Sequence, residues 1–101
     1  MFNILKNLFG KPVDFKAIKE RGALIIDVRT EEEFASGNIP GSVNIPLNVL
    51  PKKINDLKKK GKPLITVCRS GARSGMAKAQ IEKSGIEVYN GGPWNKLIKK
   101  L

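Results

Sequence analysis

Cys68 is the only cysteine of the chain, and Arg69 and Arg73 follow it at short spacing with Ser70, Gly71 and Ala72 between them and Ser74 just beyond. A cysteine acts as a nucleophile only as the thiolate, and nearby cations and inward-turned backbone amides favour that form. Small residues at 70, 71 and 72 let the chain curl, and Gly71 admits dihedrals that other residues resist. A loop curled this way turns successive N–H groups inward, making an anion-binding nest above a helix start. The expected effect is a fall from the ordinary thiol value of about 8.5 into the range of roughly 3.5–7.5. The chain has no histidine, which excludes Ser-His-Asp and Cys-His catalysis and any histidine general base. Activation of Cys68 must therefore come from amides, a helix start and arginines. With one cysteine there is no internal disulfide, and the common Cys/His zinc sites are excluded. No metal and no cofactor is expected.

The elements that must position this loop alternate between helix and strand. Val13 to Arg21 reads as a helix with Asp14 as N-cap and Gly22 past its end. The apolar run Ala23 to Val28 has the pattern of a strand covered on both faces. Thr30 with Glu33 has capping-box spacing, so a short acidic helix follows, with Phe34 turned inward and Gly37 ending it. Ile39-Pro40-Gly41 is a turn leading to a short strand, Ser42 to Ile45. Leu50, Ile54 and Leu57 form one apolar stripe on a lysine-rich helix within Leu47 to Gly61. Leu64 to Val67 is a second buried strand with Cys68 at its carboxyl end. A helix from Ser74 to Ser84, a strand from Ile86 to Tyr89, a turn at Asn90-Gly91-Gly92-Pro93 and a helix from Trp94 to Leu101 complete the chain. The pattern predicts an α/β fold with a mainly parallel central sheet flanked by helices on both faces. Ligands of such sheets sit beyond the carboxyl ends of the strands, where Cys68 falls.

The formal charge is +10 over 101 residues, which favours anionic partners. Lys52, Lys53, Lys58, Lys59, Lys60 and Lys62 crowd one stretch, and Lys96, Lys99 and Lys100 lie near the end. Few aromatics are available and none sits among these lysines to stack bases, so a solvated helix face is preferred to nucleic-acid binding. Residues 1–12 form an amphipathic segment distinct from the domain over 13–101. That segment lacks a continuous apolar run, so neither a signal peptide nor a membrane span is expected, and a cytoplasmic location follows.

Three ordered motifs then point to a family. The loop Cys68 to Arg73 resembles the active-site loop of rhodanese-family sulfurtransferases. Asp27-Val28-Arg29-Thr30-Glu31-Glu32-Glu33-Phe34 is similar to that family's strand end and acidic helix start. Gly37-Asn38-Ile39-Pro40-Gly41-Ser42-Val43-Asn44-Ile45-Pro46 resembles its Gly-His-Ile-Pro-Gly-Ala turn and strand, with Asn38 where histidine is frequent, at a position read as structural. The Asn90-to-Trp94 stretch adds to the likeness. The resemblance implies a rhodanese-like fold and a persulfide mechanism. In it Cys68 takes sulfur from a small anionic donor such as thiosulfate and passes it to a thiol or cyanide, an acceptor protein among the candidates. It implies that the amides from Arg69 through Ser70, Gly71 and Ala72 to Arg73 cradle the sulfur, with Arg69 and Arg73 meeting the donor's sulfonate.

Asp27, Arg29 and Ser74 are candidates for lining or supporting the site. A strand-end ion pair bracing the next helix, Arg29 with Glu33, is the favoured reading of the first two, and Trp94 reads as a core or lid residue. A cysteine phosphatase needs five residues between cysteine and arginine, and here there are four. A non-catalytic binding module on the same fold and a protein-to-protein persulfide relay remain alternatives. A monomer or weak dimer is expected.

Overall fold

Short, mainly apolar segments alternate here with amphipathic ones, and the chain resolves that pattern as a covered parallel sheet. The computed structural model describes residues 12–101; the amphipathic segment expected over 1–12 lies, but for Pro12, outside them. Helix α1 is Phe15–Glu20, capped by Asp14, whose carboxylate accepts from the Ala17 amide at 3.1 Å. Strand β1 is Leu24–Asp27, helix α2 Glu31–Ala35, and strand β2 the two residues Val43–Asn44. Helix α3 is Leu50–Lys59, and strand β3, Leu64–Cys68, is buried at every position. Helix α4 is Ala72–Glu82, strand β4 Val88–Pro93, and the short helix α5, Trp94–Leu97, runs into a 3-10 turn over Ile98–Lys100.

All four strands are parallel, in the order β2-β1-β3-β4. Alternation along the strands divides the core in two. Ile26, Leu64 and Cys68 face Leu50 and Leu57 of α3 and Ala77 and Ile81 of α4, whereas Ile25, Ile65 and Val67 face Phe15 and Ile18 of α1 and Leu97 of α5. Helices thus cover both faces, as the pattern predicted.

Of the boundaries that differ from the sequence reading, two matter to the site. Asn90 to Pro93, expected as a turn, continues β4. The register with β3 slips there, from Thr66↔Asn90 to Val67↔Gly92, leaving Gly91 as a bulge. A Cβ at Gly91 would lie 2.8 Å from Ile65 and 3.0 Å from the Thr66 carbonyl, so only glycine lets the strand pass so closely. Helix α4 starts at Ala72, two residues earlier than expected, because Gly71 at φ +103° turns the chain into the helix directly. The C-terminal helix is correspondingly shorter than the predicted Trp94-to-Leu101 span.

The chain leaves β1 for β2 on one side and returns through α3 to β3 on the other. The connections therefore diverge beyond the carboxyl ends of β1 and β3, the place where a doubly covered parallel sheet opens a crevice. Asp27 ends β1 and Cys68 ends β3.

Candidate active site

Cys68 is wholly buried, and its Sγ lies at the base of the loop 69–71. The Gly71 amide donates to Sγ at 2.9 Å, and the Ser74 hydroxyl oxygen, in the first turn of α4, is 3.3 Å away. Burial pushes the thiol up, but the hydrogen bond it shares with the Ser74 hydroxyl, together with the amides of Ser74, Gly71 and Ser70, prevails and holds it below its ordinary value. The loop thus supplies thiolate stabilisation without histidine, by backbone donors ahead of an eleven-residue helix.

The two loop arginines have different placements. Arg73 points to α2, where it grips Glu33 in a bidentate pair at 2.7 and 2.9 Å. That grip, with the Thr30 amide, holds the Glu33 carboxyl down at about 2. Glu33 also completes the predicted capping box with Thr30. The guanidinium of Arg73 is therefore a brace between α4 and α2, although its charge still acts on Cys68. Arg69 is exposed and, among the described residues, forms no ion pair.

The expected strand-end ion pair exists with a different partner. Arg29, 3% exposed, pairs with the fully buried Asp27 through Nε at 2.9 Å and Nη2 at 2.7 Å, not with the Glu33 side chain. It does brace α2, but through carbonyls, donating to Glu33 O at 3.2 Å and Gly37 O at 2.7 Å. The Trp94 ring covers the guanidinium at 4.8 Å. A Cβ on Gly37 would lie 3.0 Å from that ring, so glycine is what allows the indole to settle over Arg29. Asn38 donates to the Phe34 carbonyl at 2.9 Å, the structural role expected of it, and Phe34 itself is only half-buried.

Outside the loop lies a cavity of about 690 Å³ lined by Arg29, Glu33, Arg69, Ser70, Trp94 and Lys96 among others. Nothing in the sequence marks Lys96 or Glu33 as a site residue. Lys96 belongs by position with the terminal lysine cluster, and only the turn from β4 into α5 brings it to the loop. The turn-like composition of 90–93 hides Asn90; in β4 its side chain reaches Ser74 at 2.6 Å. Among the described residues no three His, Cys, Asp or Glu side chains gather to hold a metal, and no helix is long and apolar enough to cross a membrane.

Comparison with known proteins finds relatives in sequence and in fold. The family model for the rhodanese-like domain matches residues 11–93. The uncharacterized protein YqhL of Bacillus subtilis is 41% identical over 69% of this chain, and the match spans 56% of YqhL's own length. A thiosulfate sulfurtransferase, GlpE, of Pseudomonas syringae is 34% identical over 78% of this chain and 74% of its own. Among solved structures, a rhodanese with anions from E. coli superposes with a TM-score of 0.67 at 28% identity, covering 72% of this chain and 88% of that one.

Proposed function

The chain belongs to the rhodanese-like domain family, and on that premise we propose that it is a sulfurtransferase working through a persulfide on Cys68. The observation that carries this reading is the Gly71 amide held on Sγ at 2.9 Å in a loop that opens onto a cavity bearing Arg69 and Lys96. Thiosulfate is the proposed donor, in keeping with the name of the Pseudomonas syringae relative.

In the first step the Cys68 thiolate attacks the outer sulfur of thiosulfate. An S–S bond forms to Cys68 as the donor's own S–S bond breaks, and sulfite leaves with the bonding pair. Arg69 and Lys96 oppose the sulfonate charge as it departs, and the loop amides receive the negative terminal sulfur of the persulfide. In the second step a thiolate or cyanide attacks that terminal sulfur, and Cys68 leaves as the thiolate, ready for another cycle. Because Cys68 is wholly buried and does not itself line that cavity, the loop must open before a donor's sulfur can touch Sγ. Arg73 contributes by fixing α4 to α2 and by its charge, so the donor contact that the resemblance implies for both arginines falls to Arg69.

The test is turnover of thiosulfate and cyanide to thiocyanate and sulfite. The reading expects activity in the natural chain and none in Cys68→Ala; thiocyanate formed at an equal rate by Cys68→Ala would refute it. A chain that binds thiosulfate without releasing sulfite would instead be a binding module.

A further inference from the structure

Strand β4 places a polar side chain against the hydroxyl that touches the nucleophile. We propose that Asn90 is a positioning residue that sets the pH at which Cys68 ionises, by holding the single proton of the Ser74 hydroxyl away from the sulfur. The proposal rests on the reading of Cys68 as a nucleophile.

The argument begins with the orientation of the Asn90 amide. Its Nδ2 donates to the Gly71 carbonyl at 3.2 Å, and its Oδ1 accepts from the Gly92 amide at 2.9 Å. Turning the amide over would face a donor to the Gly92 N–H and an acceptor to the Gly71 carbonyl, so two backbone groups fix it. The Ser74 hydroxyl, 2.6 Å from Oδ1, must then be the donor in that bond, because a carbonyl oxygen has no proton to give. A hydroxyl has one proton. The 3.3 Å contact between Ser74 Oγ and Cys68 Sγ can form at the same time only with the thiol donating to Oγ. The arrangement as it stands is matched to the protonated thiol.

When Cys68 ionises, its proton leaves for solvent and the Ser74 hydroxyl can help the thiolate only by rotating off Asn90. The help that Ser74 gives is therefore reduced by what Asn90 loses. The bulge at Gly91 is what makes the contact. It keeps Asn90 opposite Thr66, on the Cys68 face of the sheet, while the next residues shift register. Gly75, where a Cβ would stand 3.3 Å from Asn90 Nδ2, leaves room on the helix side. Other charges facing the sulfur are already engaged: Arg73 of α4 with Glu33 of α2, and Asp27 of β1 with Arg29. Arg69 faces the cavity mouth. Only the Ser74 proton has two claimants.

The experiment is the pH profile of Cys68 alkylation by iodoacetamide in the natural chain, Asn90→Leu, Asn90→Ala and Ser74→Ala, and in Ser74→Ala/Asn90→Leu. Leucine is close to asparagine in size and keeps water from replacing Oδ1; Asn90 is itself exposed, so neither change cuts the core. A freed hydroxyl bond to the thiolate lowers the midpoint by about half to one pH unit in Asn90→Leu. The same change made on Ser74→Ala should leave the midpoint where Ser74→Ala alone puts it. A rise or no change in Asn90→Leu, or an equal shift with and without Ser74, would overturn the proposal. Alkylation reads the thiol alone, so this result stands apart from whether thiosulfate loads the protein.

Discussion

Replacing Asp27 by asparagine should destabilise the chain far more than any surface change, and the structure lets the size be worked out. Asp27 is fully buried, and its two oxygens take the Arg29 backbone amide at 3.0 Å, Nε at 2.9 Å and Nη2 at 2.7 Å. In Asp27→Asn the guanidinium stays buried with its positive charge unmatched and keeps one amide oxygen at position 27 beside the carbonyls of Glu33 and Gly37. Breaking one side of a buried pair costs about 3–5 kcal/mol, a large part of the roughly 5–15 kcal/mol that holds a domain folded. At about 4–8 °C per kcal/mol for a domain near this size, Tm should fall by at least roughly 12 °C. Urea unfolding followed by fluorescence is well suited, since Trp94 is the only tryptophan and lies on Arg29. A second variant separates charge from packing. Asp27→Leu/Arg29→Met, which removes both charges, should recover much of the loss. A cost under about 1 kcal/mol in Asp27→Asn would show that the pair does not carry the load argued for it.

The remaining predictions concern the loop and its brace. Arg69→Ala should lower kcat/KM for thiosulfate by about 10- to 100-fold, the loss of a charge-assisted hydrogen bond, measured by initial rates over a thiosulfate series. Arg73→Ala should lower Tm and raise the midpoint of Cys68 alkylation, because it removes a brace and a nearby charge rather than a donor contact. Glu33 is held at about 2 against an ordinary 4.5, so its stabilisation is present above the ordinary value and lost as pH falls through the lowered one. Urea midpoints should therefore drop between about pH 4.5 and 2, and Glu33→Gln should flatten part of that drop, leaving the share due to Glu87, which is lowered over the same range. Gly71→Ala forces a side chain onto φ +103° and should cost about 1–2 kcal/mol. It should also raise the Cys68 alkylation midpoint as the Gly71 amide leaves Sγ.

The fold was largely legible because its signals are local. Buried strands announce themselves as mainly apolar runs, and Thr30 with Glu33 marks a helix start by spacing alone. Cys68 at a strand end with arginines and glycine beside it gave the site its centre. Legibility failed where a residue's partner is distant in sequence. Arg29 sits four residues from Glu33 and next but one to Asp27, and only burial of both Asp27 and Arg29 decides between them. Arg73 finds Glu33 forty residues away, so an arginine that the family resemblance assigns to the donor is held here as a brace. Asn-Gly-Gly-Pro has the composition of a turn, yet parallel pairing with β3 carries it on as a bulged strand. That misreading concealed Asn90, since a turn residue has no reason to meet Ser74.

Mass measurement of the intact protein after one equivalent of thiosulfate tests the central claim most directly. The account predicts a gain of about 32 Da, one sulfur atom, confined to the peptide containing Cys68 and reversed by cyanide, with one sulfite released per chain. Retention of the same gain by Cys68→Ser, or sulfite release without any gain on Cys68, would contradict it.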